Sequence, residues 1–585
     1  MTFARLAQFL ARLEKVSSRL AITRILAELL KEVNPGEIDK ACYLSLGRLA
    51  PAYAGLEFNL AEKLLIRALA RATNTPEDKV KQLYKQLGDL GDVAEKLVNS
   101  LTRQLVTLKI VKIYEKLNQI ARESGEGSVE RKISLTANLL QQVDPLSAKY
   151  ITRIPLGKLR LGFSELTILD ALSWLISGDK RHRGEIERAY EVRADIGQIA
   201  KSLKVGGLAS LASLQPSVGI PIVPALCQRL PTAEEIIHKM GEIAVEPKYD
   251  GTRVQIHYRV SVTRNTQHIT RDLPFIRIFT RSLESVTHMF PDLAQAVERE
   301  IRAEEVILDG EAVGFDPKTG KILPFQETIK RKRKHQVDLF SRRIPLKCFV
   351  FDLLVYNGQN FLDQPFFKRR QALTKIIAGQ TIILTPQLVA QDVQKLRYFH
   401  HQQIDQGLEG VICKKWNSAY DPGRRGFNWV KLKSEADKKG AGLADTLDCV
   451  VMGLYRGKGK RTDFGVGAFL AGIRKDGKSD EFLSVSKIGT GLTDEQFKQL
   501  KIESEQLTVK SQPENYRVDR NLAPDVWLKP GLVVEIQADN ITVSPIHTAS
   551  YALRFPRLVR FRDDKTADQT TTLAELKKLY QMQGI

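Results

Sequence analysis

EIAVEPKYDGTRVQIHYRV, Glu242 to Val260, reads as an apolar strand, a polar turn and a second strand. Ile243, Ala244 and Val245 lead towards Lys248, and Asp250-Gly251 follows at once, a pair typical of tight turns. A lysine at the end of a strand presents its amine to a cleft. It becomes a nucleophile when burial or neighbouring cations lower its pKa. The pattern K-x-D-G is short and also occurs in ordinary surface turns, so its weight depends on the surrounding chain.

Working outward, short β-rich runs alternate with helical ones from about residue 215 to 440. LKCFVFDLLVYNG, EVILDGEAVGFD, FIRIFTR and LEGVICKK read as further strands, with FPDLAQAVEREIRAE and DVQKLRYFHHQQI as helices between them. Upstream, some two hundred residues read as successive helices. Leu6, Phe9, Leu10, Leu13 and Val16 recur at helical spacing, as do Ile25, Leu26, Leu29 and Leu30. ADIGQIAKSLKVGG ends on glycines that suit a helix stop. QPSVGIPIVPALCQRLP, from Gln215, carries four prolines and marks a boundary. After KKGAGLADTLDC the strands CVVMGLY, GAFLAGI, FLSVSKIG and LVVEIQA suit an OB-type β-barrel. The expectation is a multidomain protein: an all-α domain at 1–214, an α+β domain at 215–440 and an all-β OB-fold domain at 441–585.

Length and composition agree. A chain of 585 residues exceeds what one core supports, and 43% hydrophobic with 27% charged residues is ordinary for a globular protein. No uncharged stretch of about twenty apolar residues suggests a membrane span, and the amphipathic start does not resemble a signal peptide. Five cysteines lie far apart with no C-x-x-C pair, which fits a reducing cytoplasm and argues against a zinc finger. The net charge of +21 favours a polyanionic partner.

No phosphate-binding loop is present: Gly314 to Lys321 has the wrong spacing and ends before Ile322, which offers no hydroxyl. Asp463-Phe464-Gly465 lacks the accompanying kinase sequences. Other residues carry more. Glu311 follows a buried strand and Glu409 opens another, and two carboxylates on separate strands suit a divalent cation bridging phosphate oxygens. Phe351 sits in an apolar run, where packing is its default role and base stacking requires it at the cleft end. Lys431 and Lys433 in WVKLK alternate with apolar residues and so share one strand face. RFPRLVRFRDDK gathers Arg554, Arg557, Arg560 and Arg562 before Lys565. Lys330-Arg331-Lys332-Arg333-Lys334 could add contacts to a nucleic-acid backbone, although such a run is usually a solvated face.

Taken in order, these segments resemble the ATP-dependent DNA ligases of the archaeal and eukaryotic replicative type. EPKYDG resembles motif I of that family, with Lys248 at the adenylated position. FTRSLESVTHMFPDL, LDGEAVGFD, FVFDLLVYNG, LEGVICKK, WVKLK and RFPRLVRFRDDK are similar to the motifs that follow. YRGKGKR and KIGTGLTDEQF resemble the family's OB-fold domain, and LGKLRLGFSELTILDAL its DNA-binding domain. Departures are Ala225 where methionine is frequent, Cys413 within motif IV, and Ala436 where tyrosine is common.

The resemblance implies sealing of nicks in duplex DNA through a lysine–AMP intermediate, in replication, repair and recombination. ATP and Mg2+ are the implied cofactors, with Mn2+ as a substitute. It implies that Glu246 recognises adenine, Arg253 and Arg281 hold ribose and phosphate, Phe351 stacks on the base, and Arg425 with Lys431 and Lys433 contacts phosphates. Glu311 and Glu409 serve the metal or the ribose. Arg554, Arg557 and Lys565 act on pyrophosphate. The implied partner is nicked double-stranded DNA, and the protein is expected to be a cytoplasmic monomer. A sliding clamp is a further candidate partner, although Gln8-Phe9-Leu10 is better explained by core packing. RNA ligases and capping guanylyltransferases share the lysine motif, but the helical first domain and the RFPR…DK ending favour DNA ligase. A non-catalytic DNA-binding protein is disfavoured by the retained lysines and glutamates. Use of ADP or GTP beside ATP stays open.

Overall fold

The Thr2 hydroxyl accepts the backbone N–H of Arg5 at 3.2 Å and caps the first helix, Phe3–Glu14. Phe3, Leu6, Phe9, Leu10 and Leu13 of that helix are buried, while Val16 lies just beyond its end. Phe9 and Leu10 are therefore core residues, inaccessible to a clamp. The second helix, Arg19–Glu32, buries Ile22, Ile25, Leu26, Leu29 and Leu30. Later helices include Glu165–Ser177, which ends at Gly178 in the left-handed conformation (φ 71°). One apolar core runs through this helical part, from Phe3 to Leu211. The helix that begins at Ile196 stops at the glycines as expected: Gly207 is non-helical (φ 62°), and a further helical stretch follows it to Ala212.

The computed structural model describes all residues except 100–106, 160, 261, 265–268, 272–273, 334, 424, 434–445, 458–464, 477–479, 491 and 582–585. The chain forms two compact units, Met1–Lys433 and Ser434–Ile585. The expected boundary at 440/441 and Ala436 lie outside the described residues, as do parts of KKGAGLADTLDC, YRGKGKR, KIGTGLTDEQF and the Asp463-Phe464-Gly465 tripeptide.

Beyond the helices, the first unit continues as β1 (Leu226–Arg229), β2 (Ile243–Pro247), β3 (Thr252–Arg259), β4 (Val262–Arg264), β5 (Ile269–Arg271), β6 (Phe275–Thr280) and β7 (Glu305–Gly314). It ends with β8 (Leu346–Tyr356), β9 (Gln359–Asn360), β10 (Ile382–Leu384), β11 (Leu388–Ala390), β12 (Gly410–Lys415) and β13 (Arg425–Lys433). They build a five-stranded sheet, β1-β13-β12-β2-β11, and a second sheet, β10-β8-β7-β3-β6, with β9 added to β8. Each sheet has its own apolar core: Val245, Val411 and Val430 in the first, Ile256, Leu308 and Val350 in the second.

The segment between the helices and β1 is fastened to the second sheet by buried polar side chains. Gln255 accepts the Ile222 N–H at 2.8 Å and donates to the Ile222 carbonyl at 3.1 Å. His257 accepts the Gly219 N–H at 3.1 Å. Among the described residues no helix is long and apolar enough to cross a membrane.

The second unit is strand-rich, as expected of an OB-type domain. Its strands are β14 (Leu447–Arg456), β15 (Val466–Arg474), β16 (Phe482–Ile488), β17 (Thr508–Val509), β18 (Tyr516–Arg517) and β19 (Val526–Leu528). β20 (Val533–Gln537), β21 (Asn540–Val543), β22 (Tyr551–Arg554) and β23 (Arg557–Phe561) complete it. β14, β15 and β16 are antiparallel neighbours, and β20 joins β14 to β23. Leu447, Cys449 and Val451 face one core and Val450 and Met452 another, so the central sheet is covered on both sides.

Candidate active site

The two sheets of the first unit enclose a cleft of about 850 Å³, and strand pairing explains what lines it. In the first sheet Glu246 of β2 lies opposite Ile412 of β12, which lies opposite Lys431 of β13. Alternation puts Lys414, Trp429 and Lys433 on that same face. In the second sheet Arg253 of β3 lies opposite Glu311 of β7, which lies opposite Phe349 of β8. Glu246, Arg253, Glu311, Phe351, Lys414, Trp429 and Lys431 all line the cleft.

Lys248 stands at the turn between the sheets, immediately after β2. Its backbone N–H donates to the Gly410 carbonyl at 2.9 Å. Gly251 lets the turn press against β7, since a β-carbon there would overlap the Ala312 carbonyl oxygen. The Lys248 ammonium is ion-paired with Glu409, and Lys433 Nζ lies 3.7 Å from the same carboxylate. Burial, then the like charges of Lys433 and Lys248, hold the Lys431 amine below its ordinary pKa. Glu311 lies inside β7 rather than after it. Burial pushes its carboxyl up to about 8, against the opposing pull of Arg253 and Lys248.

Glu246 is 2% exposed. Lys414 Nζ lies 2.9 Å from its Oε2 and Arg370 Nη1 3.8 Å from its Oε1. Burial raises the Glu246 pKa, and Lys414 and Arg370 work against that rise. Lys414 donates to the Phe351 carbonyl at 2.6 Å and sits over the Trp429 ring. Phe351 is half-buried and meets Trp429 edge to face, with 5.8 Å between centroids. Arg281 is exposed and also lines the cleft. Arg253 is committed to protein partners: Asp309 at 2.7 Å and the Ala225 carbonyl at 2.6 Å. Ala225, where methionine is frequent in the family, thus contributes through its backbone. Arg425 pairs with Leu226 in β13, and its side chain lies outside the described residues.

One expectation changes, and several residues of the site are new. The basic run is not a uniform solvated face: Arg331 is 1% exposed and held by Asp292 and the Ile344 carbonyl. Lys332 lines the cleft and pairs with Glu284 at 2.6 Å, while Lys334 lies outside the described residues. Lys414 was visible only as part of a strand motif, yet it is a buried charge at the centre of the site. Asp309, Arg370 and Trp429 carried no signal of their own. Among the described residues no group of three or more His, Cys, Asp and Glu is gathered as a metal site. Glu409 is ion-paired with Lys248, and Glu311 lines the cleft.

Arg554, Arg557 and Lys565 belong to the second unit. There Arg557 meets Asp539 at 2.8 Å, and Lys565 and Arg562 both reach Asp448, at 2.6 and 2.8 Å.

Comparison with known proteins matches every part of the chain. The family model described as the ATP dependent DNA ligase domain covers residues 224–433. The DNA ligase N terminus covers 2–173, and the ATP dependent DNA ligase C terminal region covers 462–565. The chain is 40% identical over 592 residues to a probable DNA ligase of Dictyoglomus turgidum, covering 100% of this chain and 98% of that one. It is 38% identical over 607 residues to a DNA ligase of Saccharolobus solfataricus, with 100% and 98% coverage. A solved structure named Pmar-Lig_PreS3 shares the fold at a TM-score of 0.53 and 17% identity, over 95% of this chain and 99% of that one. Three matched domains in order, and full-length relatives at this identity, mean that the chain belongs to the ATP-dependent DNA ligases.

Proposed function

We propose that this ligase seals nicks in duplex DNA, joining a 3′-hydroxyl to a 5′-phosphate through AMP carried on Lys248 Nζ. The observation that carries this reading is the position of Lys248. It stands at the junction of two sheets, inside a cleft whose other walls supply Lys431, Arg281 and Glu246.

In the first step the Lys248 amine attacks the α-phosphate of ATP. A phosphoramidate N–P bond forms, the bond to the β-phosphate oxygen breaks, and pyrophosphate leaves. Attack requires the uncharged amine, so the ammonium paired with Glu409 must first give up a proton. Glu246 takes the adenine edge, Phe351 its face, and Lys431, Lys433 and Arg425 the phosphates. The roles assigned to Arg554, Arg557 and Lys565 are to stabilise departing pyrophosphate. In the second step AMP passes from Lys248 to the 5′-phosphate of the nick, which gives that phosphate a leaving group. In the third, the 3′-hydroxyl attacks it and AMP departs. Positioning and charge stabilisation account for most of such catalysis.

Glu311 and Glu409 are the residues that would hold Mg2+, or Mn2+ through the same oxygen donors. When bound, the cation would add positive charge at the phosphate oxygens. The net charge of +21 supports a DNA backbone as the partner, with affinity falling steeply as salt rises. Nick sealing places the protein in replication, repair and recombination, each of which leaves such breaks.

The test is incubation with α-labelled ATP and magnesium, followed by a denaturing gel. A protein-bound label that needs Lys248, reverses with pyrophosphate and discharges on nicked DNA as the strands join is the expected result. Absence of label in the native protein, or full label in Lys248→Ala, would sink the proposal. Joining of nicked RNA alone would make the enzyme an RNA ligase.

A further inference from the structure

Behind the base-reading end of the cleft lies a buried chain of five charges. Arg369 and Asp352, both fully buried, meet at 2.7 Å. Lys414 stands 3.8 Å from Asp352 and 2.9 Å from Glu246 Oε2, and Arg370 Nη1 stands 3.8 Å from Glu246 Oε1. The last separation is too long for a hydrogen bond, so Arg370 attracts the carboxylate without capping it. Arg370 is itself anchored by donating from Nη2 to the Thr385 carbonyl at 2.6 Å.

Buried polar atoms normally have partners, and here several do not: Glu246 Oε1, Arg370 Nη1 and Gln387 Oε1. β11 runs antiparallel to β2 with Leu388 opposite Val245, which carries the preceding Gln387 towards Glu246. Buried polar atoms without protein partners beside a cleft-lining carboxylate leave capacity for a ligand's polar edge.

We infer that Arg370 is a positioning residue for base selection: it holds Glu246 Oε1 as an open acceptor for the exocyclic amine of adenine. The cleft thereby prefers a 6-amino purine nucleotide to a 6-oxo one. This rests on the reading that Glu246 recognises the base. Arg370 does not line the cleft and so acts through Glu246. It also opposes the rise in the Glu246 pKa that burial causes. A carboxyl that gained a proton would offer a hydroxyl, which pairs with a 6-oxo group as readily as with an amine.

The experiment measures Lys248 adenylation with ATP and with inosine triphosphate in the native enzyme, Arg370→Gln, Arg370→Lys and Glu246→Gln. Arg370→Gln is expected to lower the ATP-to-inosine ratio of kcat/KM by about ten-fold, chiefly through the KM for ATP. Arg370→Lys, which keeps the charge, is expected to give an intermediate ratio and carries the test if the glutamine variant does not fold. A native ratio in every folded Arg370 variant, with a changed ratio in Glu246→Gln, overturns the inference alone. A native ratio in Glu246→Gln overturns the base-reading role beneath it. A purely structural Arg370 would lower both activities together and leave the ratio intact.

Discussion

Arg253 and Asp309 sit diagonally across neighbouring strands and meet twice, Nη2 to Oδ2 at 2.7 Å and Nε to Oδ1 at 3.0 Å. Asp309 is 1% exposed. Its Oδ2 also accepts the Tyr420 hydroxyl at 2.7 Å, and that hydroxyl accepts the Ala225 N–H at 3.0 Å. One ion pair therefore ties β3, β7, the approach to β1 and the loop before β13 around the cleft. Burial works to lower the Arg253 pKa, but Asp309 outweighs it and the guanidinium stays firmly charged.

Removing the acid should expose the cost of that arrangement. Asp309→Ala leaves a buried guanidinium unpaired and is expected to destabilise the first unit by about 3–5 kcal/mol. Urea unfolding monitored within residues 1–433 checks it. A loss below about 1 kcal/mol would mean that Arg253 finds solvent or another partner and that the cleft wall does not depend on Asp309.

The basic run offers a contrast within two neighbouring residues. Arg331→Ala deletes a side chain buried against Phe290 and bonded to Asp292, so a loss of roughly 3 kcal/mol or more is expected. Lys330→Ala removes an exposed charge paired with Glu327 and should change stability by less than about 0.5 kcal/mol. Similar losses for both would contradict the division of the run into a buried staple and a surface.

Much of this was written in the sequence, and the reasons it was differ by residue. Ile243 to Val245 and the strands beside them announce themselves because a strand covered on both faces must be apolar throughout. Lys248 is legible because a lysine between such a strand and Asp250-Gly251 has few places to point. Lys414 is less so: in Cys413-Lys414-Lys415 two adjacent lysines look alike, yet one is 1% exposed and the other faces solvent. Only pairing with β2 and β13 reveals which. Glu311 was misplaced to a strand end because a carboxylate inside a buried strand contradicts the usual cost of burial. Arg370 and Asp352 gave no sign, since their partners lie far away in sequence. The helix stop at Gly206-Gly207 was legible because glycine takes a positive φ without steric cost and so breaks the helix there.

His257 makes a pH prediction. It is fully buried and burial pulls its pKa down to about 3 from an ordinary 6.5, so the folded state keeps it neutral. Nδ1 accepts from Gly219 and Nε2 faces Gln255 Oε1 at 2.8 Å, which fits the tautomer protonated at Nε2. The unfolded chain takes up the proton near 6.5 and the folded one near 3. Between those values the unfolded state binds more protons, so stability rises with pH and is lost as pH falls. The contribution is about 1.4 kcal/mol per pH unit. Denaturant melts from pH 7 to 4 should show this slope in excess over His257→Asn. Parallel curves for the two proteins would refute it.

Lys565 gives the sharpest separation of steps. In the second unit it is held by Asp448 at 2.6 Å, beside Arg562 on the same carboxylate, so it is positioned by its own unit before any substrate arrives. If its work is to stabilise departing pyrophosphate, it matters only while the α–β phosphate bond breaks. Lys565→Ala is then expected to slow formation of the Lys248 adenylate by roughly a hundred-fold, the usual effect of losing one preorganised donor. Sealing of a nick that already carries 5′-AMP bypasses that bond and should stay within about two-fold of native. Rapid-quench assays on both substrates measure the two rates separately. Equal losses in both would assign Lys565 to DNA contact or to the fold of the second unit. A melting curve that matches native then decides for DNA contact.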